Sequence, residues 1–180
     1  MNITDRRRVL QLGAGALVGM AGCTGDTDNQ NGDRPNGQSD SDEDGVPDSQ
    51  DAYPNDSRFS KQVLSKSNTW EIEEDRWRYF GFSLRGEGKL YYDFIVREGP
   101  EIDVILMDES EYTHFESQSR YNYYTKFSQL NSAGGTVEQV LPAGSYYIIF
   151  DNSEAGEASP PTDFNNSVAT VEFDIEVGSS

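Results

Sequence analysis

Val171-Glu172-Phe173-Asp174-Ile175-Glu176-Val177 decides the fold class. Every odd position is apolar and every even one acidic. A strand turns successive side chains to opposite faces, so this segment predicts a β-strand with one face in a core and one in water. The same period recurs upstream. Leu90, Tyr92, Phe94 and Val96 alternate with Tyr91, Asp93, Ile95 and Arg97, and Ile102, Val104 and Leu106 with Asp103, Ile105 and Met107. Phe80, Phe82 and Leu84 share a face, Val137–Leu141 reads as a short strand, and Ser145–Asp151 as a central one. Gly86-Glu87-Gly88, Glu98-Gly99-Pro100 and Pro142-Ala143-Gly144 supply turns at hairpin spacing. Together these predict an all-β, antiparallel β-sandwich of about 7–8 strands over 69–177. One short helix is expected over 108–117, with Asp108 as its N-cap and Tyr112 and Phe115 on one face.

Outward from this domain the composition changes. The chain of 180 residues has 32 Asp+Glu against 14 Lys+Arg, a net charge of −18, with one cysteine and one histidine. Such acidity opposes nucleic acid as a partner, and a lone cysteine excludes a disulfide framework. Residues 24–57 hold ten acids against Arg34 and only Val46, Ala52 and Tyr53 as apolar side chains. That is too little to offset chain entropy, so 23–68 is expected to be a disordered acidic linker.

Residues 1–22 read as a signal peptide: Arg6, Arg7 and Arg8 precede a mild apolar run ending in small residues. From Leu10 to Gly22 the run reaches about 20 Å as a helix, short of the roughly 30 Å hydrocarbon core. Arg6-Arg7 before hydrophobic residues resembles a twin-arginine export signal. Met20-Ala21-Gly22-Cys23 resembles a lipobox, with Met20 where leucine is usual. This resemblance implies lipid attachment at Cys23 and a place at the extracellular face of the cell membrane.

Within the linker, Asp40-Ser41-Asp42-Glu43-Asp44-Gly45-Val46-Pro47-Asp48-Ser49-Gln50-Asp51 has Asp at positions 1, 3, 5, 9 and 12 and Gly at 6. Calcium takes 6–8 hard oxygens, alternate residues of a curling loop point inward, and Gly45 permits the turn that brings in the Val46 carbonyl. The expected ligands are Asp40, Asp42, Asp44, Val46, Asp48 and Asp51. Asp51 stands where an EF-hand has Glu, Pro47 lies inside the loop and no amphipathic helix flanks it. The stretch through Pro54 and Asp56 more closely resembles a thrombospondin type 3 calcium repeat, which implies a structural ion stiffening a stalk over 40–56.

The strand before Leu141-Pro142-Ala143-Gly144-Ser145-Tyr146-Tyr147, and the strand that follows, resemble accessory sandwiches of secreted proteins, the bacterial pre-peptidase C-terminal and Golgi-dynamics types. That resemblance implies a non-catalytic binding or stabilising module and carries no active-site residue. With the leader and the acid surplus, the chain resembles lipid-anchored surface proteins of salt-loving archaea. In brine, like charges are screened over about 3 Å, so an acidic surface is tolerated.

Other chemistry stays open. His114 lacks a nucleophile elbow and reads as a surface histidine. Glu71, Glu73, Glu74 and Asp75 read as a solvated charge run or a carboxylate site, and Trp70, Trp77, Tyr121, Tyr123 and Tyr124 as packing or a sugar platform. Asn55 and Asn165 begin glycosylation sequons. The expectation is a non-enzyme with calcium as cofactor and the membrane and an extracellular protein or glycan as partners. The alternative is a hydrolase or carbohydrate-active or carbohydrate-binding protein, marked by paired carboxylates in a concave pocket. A transporter's solute-capturing lipoprotein would need a closing cleft, which one small domain does not offer.

Overall fold

The structure, a computed structural model, describes residues 39–156, 158 and 166–180. The signal peptide over 1–22, with Arg6 and Arg7, and also Cys23 and Asn165 lie outside the described residues. Eight strands run β1 Lys61–Ile72, β2 Arg76–Leu84, β3 Gly88–Glu98, β4 Ile102–Asp108, β5 Gln129–Ser132, β6 Gly134–Leu141, β7 Gly144–Asn152 and β8 Ala169–Ser179. They form two four-stranded antiparallel sheets ordered β1-β8-β3-β6 and β2-β7-β4-β5. The expected antiparallel sandwich is the observed architecture.

Alternation builds the core. Val171, Phe173, Ile175 and Val177 of β8 and Leu90, Tyr92 and Phe94 of β3 face Phe82 and Leu84 of β2, Ile102, Val104 and Leu106 of β4, and Tyr146, Ile148 and Phe150 of β7. Burying a large apolar side chain of this kind is worth about 1.5–3 kcal/mol. The outer face of the first sheet stays wet, with Glu172, Asp174 and Glu176 exposed. The outer face of the second is covered. Ile105, Met107 and Ile149 pack under Tyr112 and Phe115 of helix α1, Glu109–Glu116, and under Tyr121 and Tyr123 beyond it. This second layer is why β4 and β7 read as almost continuously apolar.

Helix α1 starts as its sequence requires. Asp108 is the N-cap, accepting from the Glu111 N–H at 3.0 Å and the Ser110 hydroxyl at 2.7 Å. Those donors, the Glu111 amide first, hold its carboxyl below the usual carboxylate range.

The start of the domain differs from expectation. Strand β1 begins at Lys61, eight residues before 69, and Phe59 ahead of it is only 1% exposed. Residues 61–68 carry almost no apolar alternation because β1 is an edge strand, held by its ladder to β8 from Lys61↔Ser179 to Ile72↔Ala169. The loop from 39 to 60 belongs to the same compact unit as the sandwich, so this part of the expected disordered linker is folded.

Candidate metal centre

The loop at 40–51 curls through local Asx turns. The Asp44 N–H donates to Asp42 Oδ1 at 3.3 Å, the Val46 N–H to Asp44 Oδ1 at 2.7 Å, and the Gly45 N–H to Asp40 Oδ2 at 3.2 Å. The curl needs left-handed backbone at Gly45, φ 102°, and also at Glu43, φ 62°. As a result one carboxylate oxygen from each of Asp40, Asp42 and Asp44 lies within 4.8 Å of the others.

Each amide contact uses one oxygen and leaves another for a different partner. Asp42 Oδ2 is buried with no hydrogen bond. So is Asp51 Oδ2, while Asp51 Oδ1 accepts from the Tyr53 N–H at 2.7 Å. Buried polar atoms are normally satisfied, so an orphaned Asp42 oxygen among three converging acids fits a hard cation, while the expected ligand Asp51 is not among the acids brought together.

Asp48 takes a different position from the expected ligand. Its two oxygens accept from the Ser41 N–H at 2.7 Å and the Ser41 hydroxyl at 2.8 Å, and these donors, the Ser41 amide first, lower its pKa. With the Asp48 N–H on the Ser39 carbonyl at 2.8 Å, it braces the loop closed. Val46 is fixed beside the acids by its N–H.

The far end of the loop is docked. The Ala52 N–H donates to the Ser60 carbonyl at 3.0 Å, and the Ser60 N–H to the Ser179 carbonyl of β8 at 2.9 Å. The Tyr53 ring lies flat enough over Gly178 that a Cβ there would meet it at 2.5 Å, so only glycine admits this approach. Tyr53 also meets Phe59 edge-on at 6.5 Å, and burial raises its phenol pKa. Arg58 pairs with Asp56 at 2.9 Å and covers the Phe59 ring at 5.0 Å. Asn55 is exposed.

The other candidate residues are separated. Trp70 belongs to the core, stacked on Phe80 at 4.8 Å and tilted against Phe173 at 4.6 Å, whereas Trp77 packs on Phe115 in the outer layer with Tyr121. No single aromatic platform includes both tryptophans. His114 is exposed in the last turn of α1. Glu74 acts as a clip, accepting from the Ser167 N–H at 2.9 Å while its own N–H donates to Asn166 Oδ1 at 3.0 Å. Glu73, Glu74, Asp75, Arg76, Tyr121 and Glu154 line an open polar groove of about 770 Å³.

Two acids escape a reading of the sequence. Asp103 and Asp151 are fully buried register partners on β4 and β7. The available signal was local and uneven: Asp103 interrupts the apolar run Ile102–Met107, whereas Asp151 only follows the run Tyr146–Phe150.

No family model matches the chain, and no curated protein matches it. Among solved structures, the pre-peptidase C-terminal domain of collagenase from Bacillus anthracis is 14% identical, covering 62% of this chain and 88% of that one, TM-score 0.36. A carbohydrate-binding module from Cellvibrio mixtus lichenase 5A, solved with cellotriose, is 12% identical over 68% of this chain and 92% of that one, TM-score 0.31. A family GH115 4-O-methyl-α-glucuronidase, BtGH115A, is 11% identical over 69% of this chain but only 18% of its own length, TM-score 0.33.

Proposed function

We propose that this chain is an exported, lipid-anchored, non-catalytic binding or structural module whose β-sandwich is clasped by a calcium ion. The observation that carries the reading is the convergence of one carboxylate oxygen from each of Asp40, Asp42 and Asp44 within 4.8 Å, with Asp42 Oδ2 buried and unpartnered. A bound divalent cation supplies the positive charge these oxygens lack. Asp48 and Ser41 keep the loop curled, and Tyr53, Phe59 and Ser60 carry that order to the end of β8. In this reading the loop is a clasp on the domain. Cys23 is the lipid attachment point, placing the domain at the extracellular face, where a protein or glycan is its partner.

No residue is assigned a catalytic role. The non-catalytic reading draws support from the placement of Asp103 and Asp151, closed off from solvent, and of His114, alone at a helix end. Adaptation to brine draws support from the outer face of the first sheet, where Asp93 and Asp174 sit directly opposite each other.

Isothermal titration of the full chain with Ca²⁺ is expected to give one site, lost in Asp44→Ala. Absence of heat at millimolar Ca²⁺ refutes the clasp. Mass spectrometry of the mature N-terminus is expected to find a lipid-modified Cys23, and an unmodified thiol refutes the anchor.

A further inference from the structure

The outer face of the first sheet is acidic, and one cleft in it is built differently from the rest. Tyr91 of β3 stands in register between Glu138 of β6 and Glu176 of β8. Residues directly opposite each other in an antiparallel sheet share a face, so both carboxylates stand beside Tyr91 on the outer side. Two residues back along β3, Lys89 is opposite Gly178, whose missing side chain leaves room for the Tyr53 ring from the 39–60 loop. Tyr53, Lys89, Tyr91, Glu138 and Glu176 line a cleft of about 240 Å³.

The polar groups of this cleft are unequally used. Lys89 Nζ lies 2.6 Å from Glu138 Oε1, so the one cation of the cleft and one of its two carboxylates neutralise each other. Glu176 is exposed and has no ion pair or hydrogen bond among the described residues. Tyr53 Oη is buried with no hydrogen bond. Burial first, then the Glu176 charge, raises the Tyr53 phenol pKa, and burial followed by the charges of Asp93, Asp174, Glu176 and Glu138 does the same for Tyr91. Both rings therefore stay neutral at neutral pH, in the negative field of the sheet's acids.

These groups select a ligand by charge and by hydrogen-bonding capacity. A carboxylate only accepts hydrogen bonds, and a phenol ring attracts a cation to its face. With Lys89 engaged, the cleft offers a free negative charge beside two phenols and no free positive one, which opposes an anion. A calcium ion needs 6–8 hard oxygens, and one free carboxylate with two neutral phenols does not supply them. A neutral sugar leaves the Glu176 charge uncompensated. An organic cation meets each requirement: its charge answers Glu176, its N–H groups donate without needing to accept, and its alkyl stem lies along apolar ring surface.

We propose that this cleft binds a basic side chain, lysine or arginine, of an extracellular protein partner, with Glu176 as its counter-ion and Tyr53 and Tyr91 as its walls. The proposal rests on the reading of the chain as a binding module and gives that module's partner a chemistry. It is separate from the calcium clasp. Tyr53 is held at the cleft by contacts within the protein itself: Asp51 Oδ1 on its N–H, the Phe59 ring, and its seat over Gly178.

The test follows backbone amide shifts of the full-length protein by NMR at fixed calcium and physiological salt. The probes are capped glycine pentapeptides with a central lysine, arginine or norleucine, and the neutral trisaccharide cellotriose. A basic peptide is expected to move the amides of Lys89, Tyr91, Glu138, Glu176 and Gly178 saturably, and the norleucine peptide and cellotriose to leave them in place. Glu176→Gln should raise the Kd by about three- to five-fold, the upper range for an exposed ion pair. Tyr91→Val, which keeps a strand-forming residue and removes the ring, should raise it by about two- to five-fold. Asp174→Asn removes the same charge from the same face, two residues along β8, and should change the Kd by less than about two-fold because salt screens it. Thermal unfolding of each variant checks that it is folded. Absence of saturable shifts with both basic peptides overturns the proposal, as do equal shifts with norleucine or equal weakening by Glu176→Gln and Asp174→Asn. Binding of cellotriose alone also overturns it while leaving the binding-module reading in place, and none of these results touches the clasp, because calcium is constant throughout.

Discussion

Replacing Asp42 by Asn gives opposite expected effects with and without calcium, and the signs follow from the loop's geometry. Three carboxylate oxygens within 4.8 Å repel one another. At that separation one pair of unit charges costs about 0.9 kcal/mol in water and about 3.5 kcal/mol at an effective dielectric of 20. The loop acids are only half-buried, so the lower part of that range applies. Asp42 takes part in two of the three pairs, so neutralising it should raise ion-free stability by about 1–2 kcal/mol. Asparagine keeps the Oδ1 acceptor for the Asp44 N–H, so the turn itself survives.

With calcium the balance reverses. An ion at a hundred times its Kd stabilises the wild type by about 2.7 kcal/mol, and the variant has lost an oxyanion from the shell. Scanning calorimetry of both proteins, with excess chelator and with saturating calcium, reads the crossing. Asp42→Asn should melt above the wild type in chelator and below it in calcium, by several degrees each way at about 3 °C per kcal/mol. An equal loss in both solutions would mean that the aspartates only shape a turn. An equal gain from calcium in both would place the ion elsewhere.

Two further outcomes test how the loop and the helix are held. Phe59→Ala should cost about 3–5 kcal/mol in denaturant unfolding, because the ring is 1% exposed under Arg58 and Tyr53; a cost near zero would return the domain boundary to 69. Asp108→Ala should cost about 1 kcal/mol at neutral pH by loss of the α1 cap. Because the folded pKa of Asp108 is lowered, that contribution is present above its ordinary value of 3.8 and fades as pH falls through the folded value, so wild type and variant should converge in acid.

The legible parts of this fold are those in which one strand or turn contains its own explanation. β8 shows its buried face because Val171, Phe173, Ile175 and Val177 must all point one way. The N-cap of α1 is local to four residues, and the Asp-x-Asp-x-Asp-Gly register is local to six. What escapes depends on partners distant in sequence. β1 carries little pattern because its order comes from pairing with β8, roughly a hundred residues away. The diversion of Asp48 depends on Ser41 across the loop, and the separation of Trp70 from Trp77 on which face of which sheet each one takes. Asp103 and Asp151 are joined only by the β4–β7 register, and nothing near either residue announces the other.

That contrast separates three kinds of acid that a net charge of −18 adds together. The ladder on β8 lies in water, with Arg97 on Glu172 at 2.8 Å and Asp93 opposite Asp174. Solvent-exposed charges of this kind respond to ionic strength, and a single exposed pair is worth at most about 1 kcal/mol. The loop acids converge with buried oxygens unspent, and in the proposed function a divalent cation answers them. The Asp103–Asp151 pair is sealed from solvent, where burial first, then the Asp103 charge, raises the pKa of Asp151 to about 7. Position relative to water therefore decides which counter-charge each acid requires. Because the three variables can be changed independently, a substitution in one group should leave the other two responses in place, with one exception. Tyr53 borders Lys89, Tyr91, Glu138 and Glu176 on the ladder side while its own backbone N–H is held by Asp51, so ionic strength and calcium should couple through this one tyrosine.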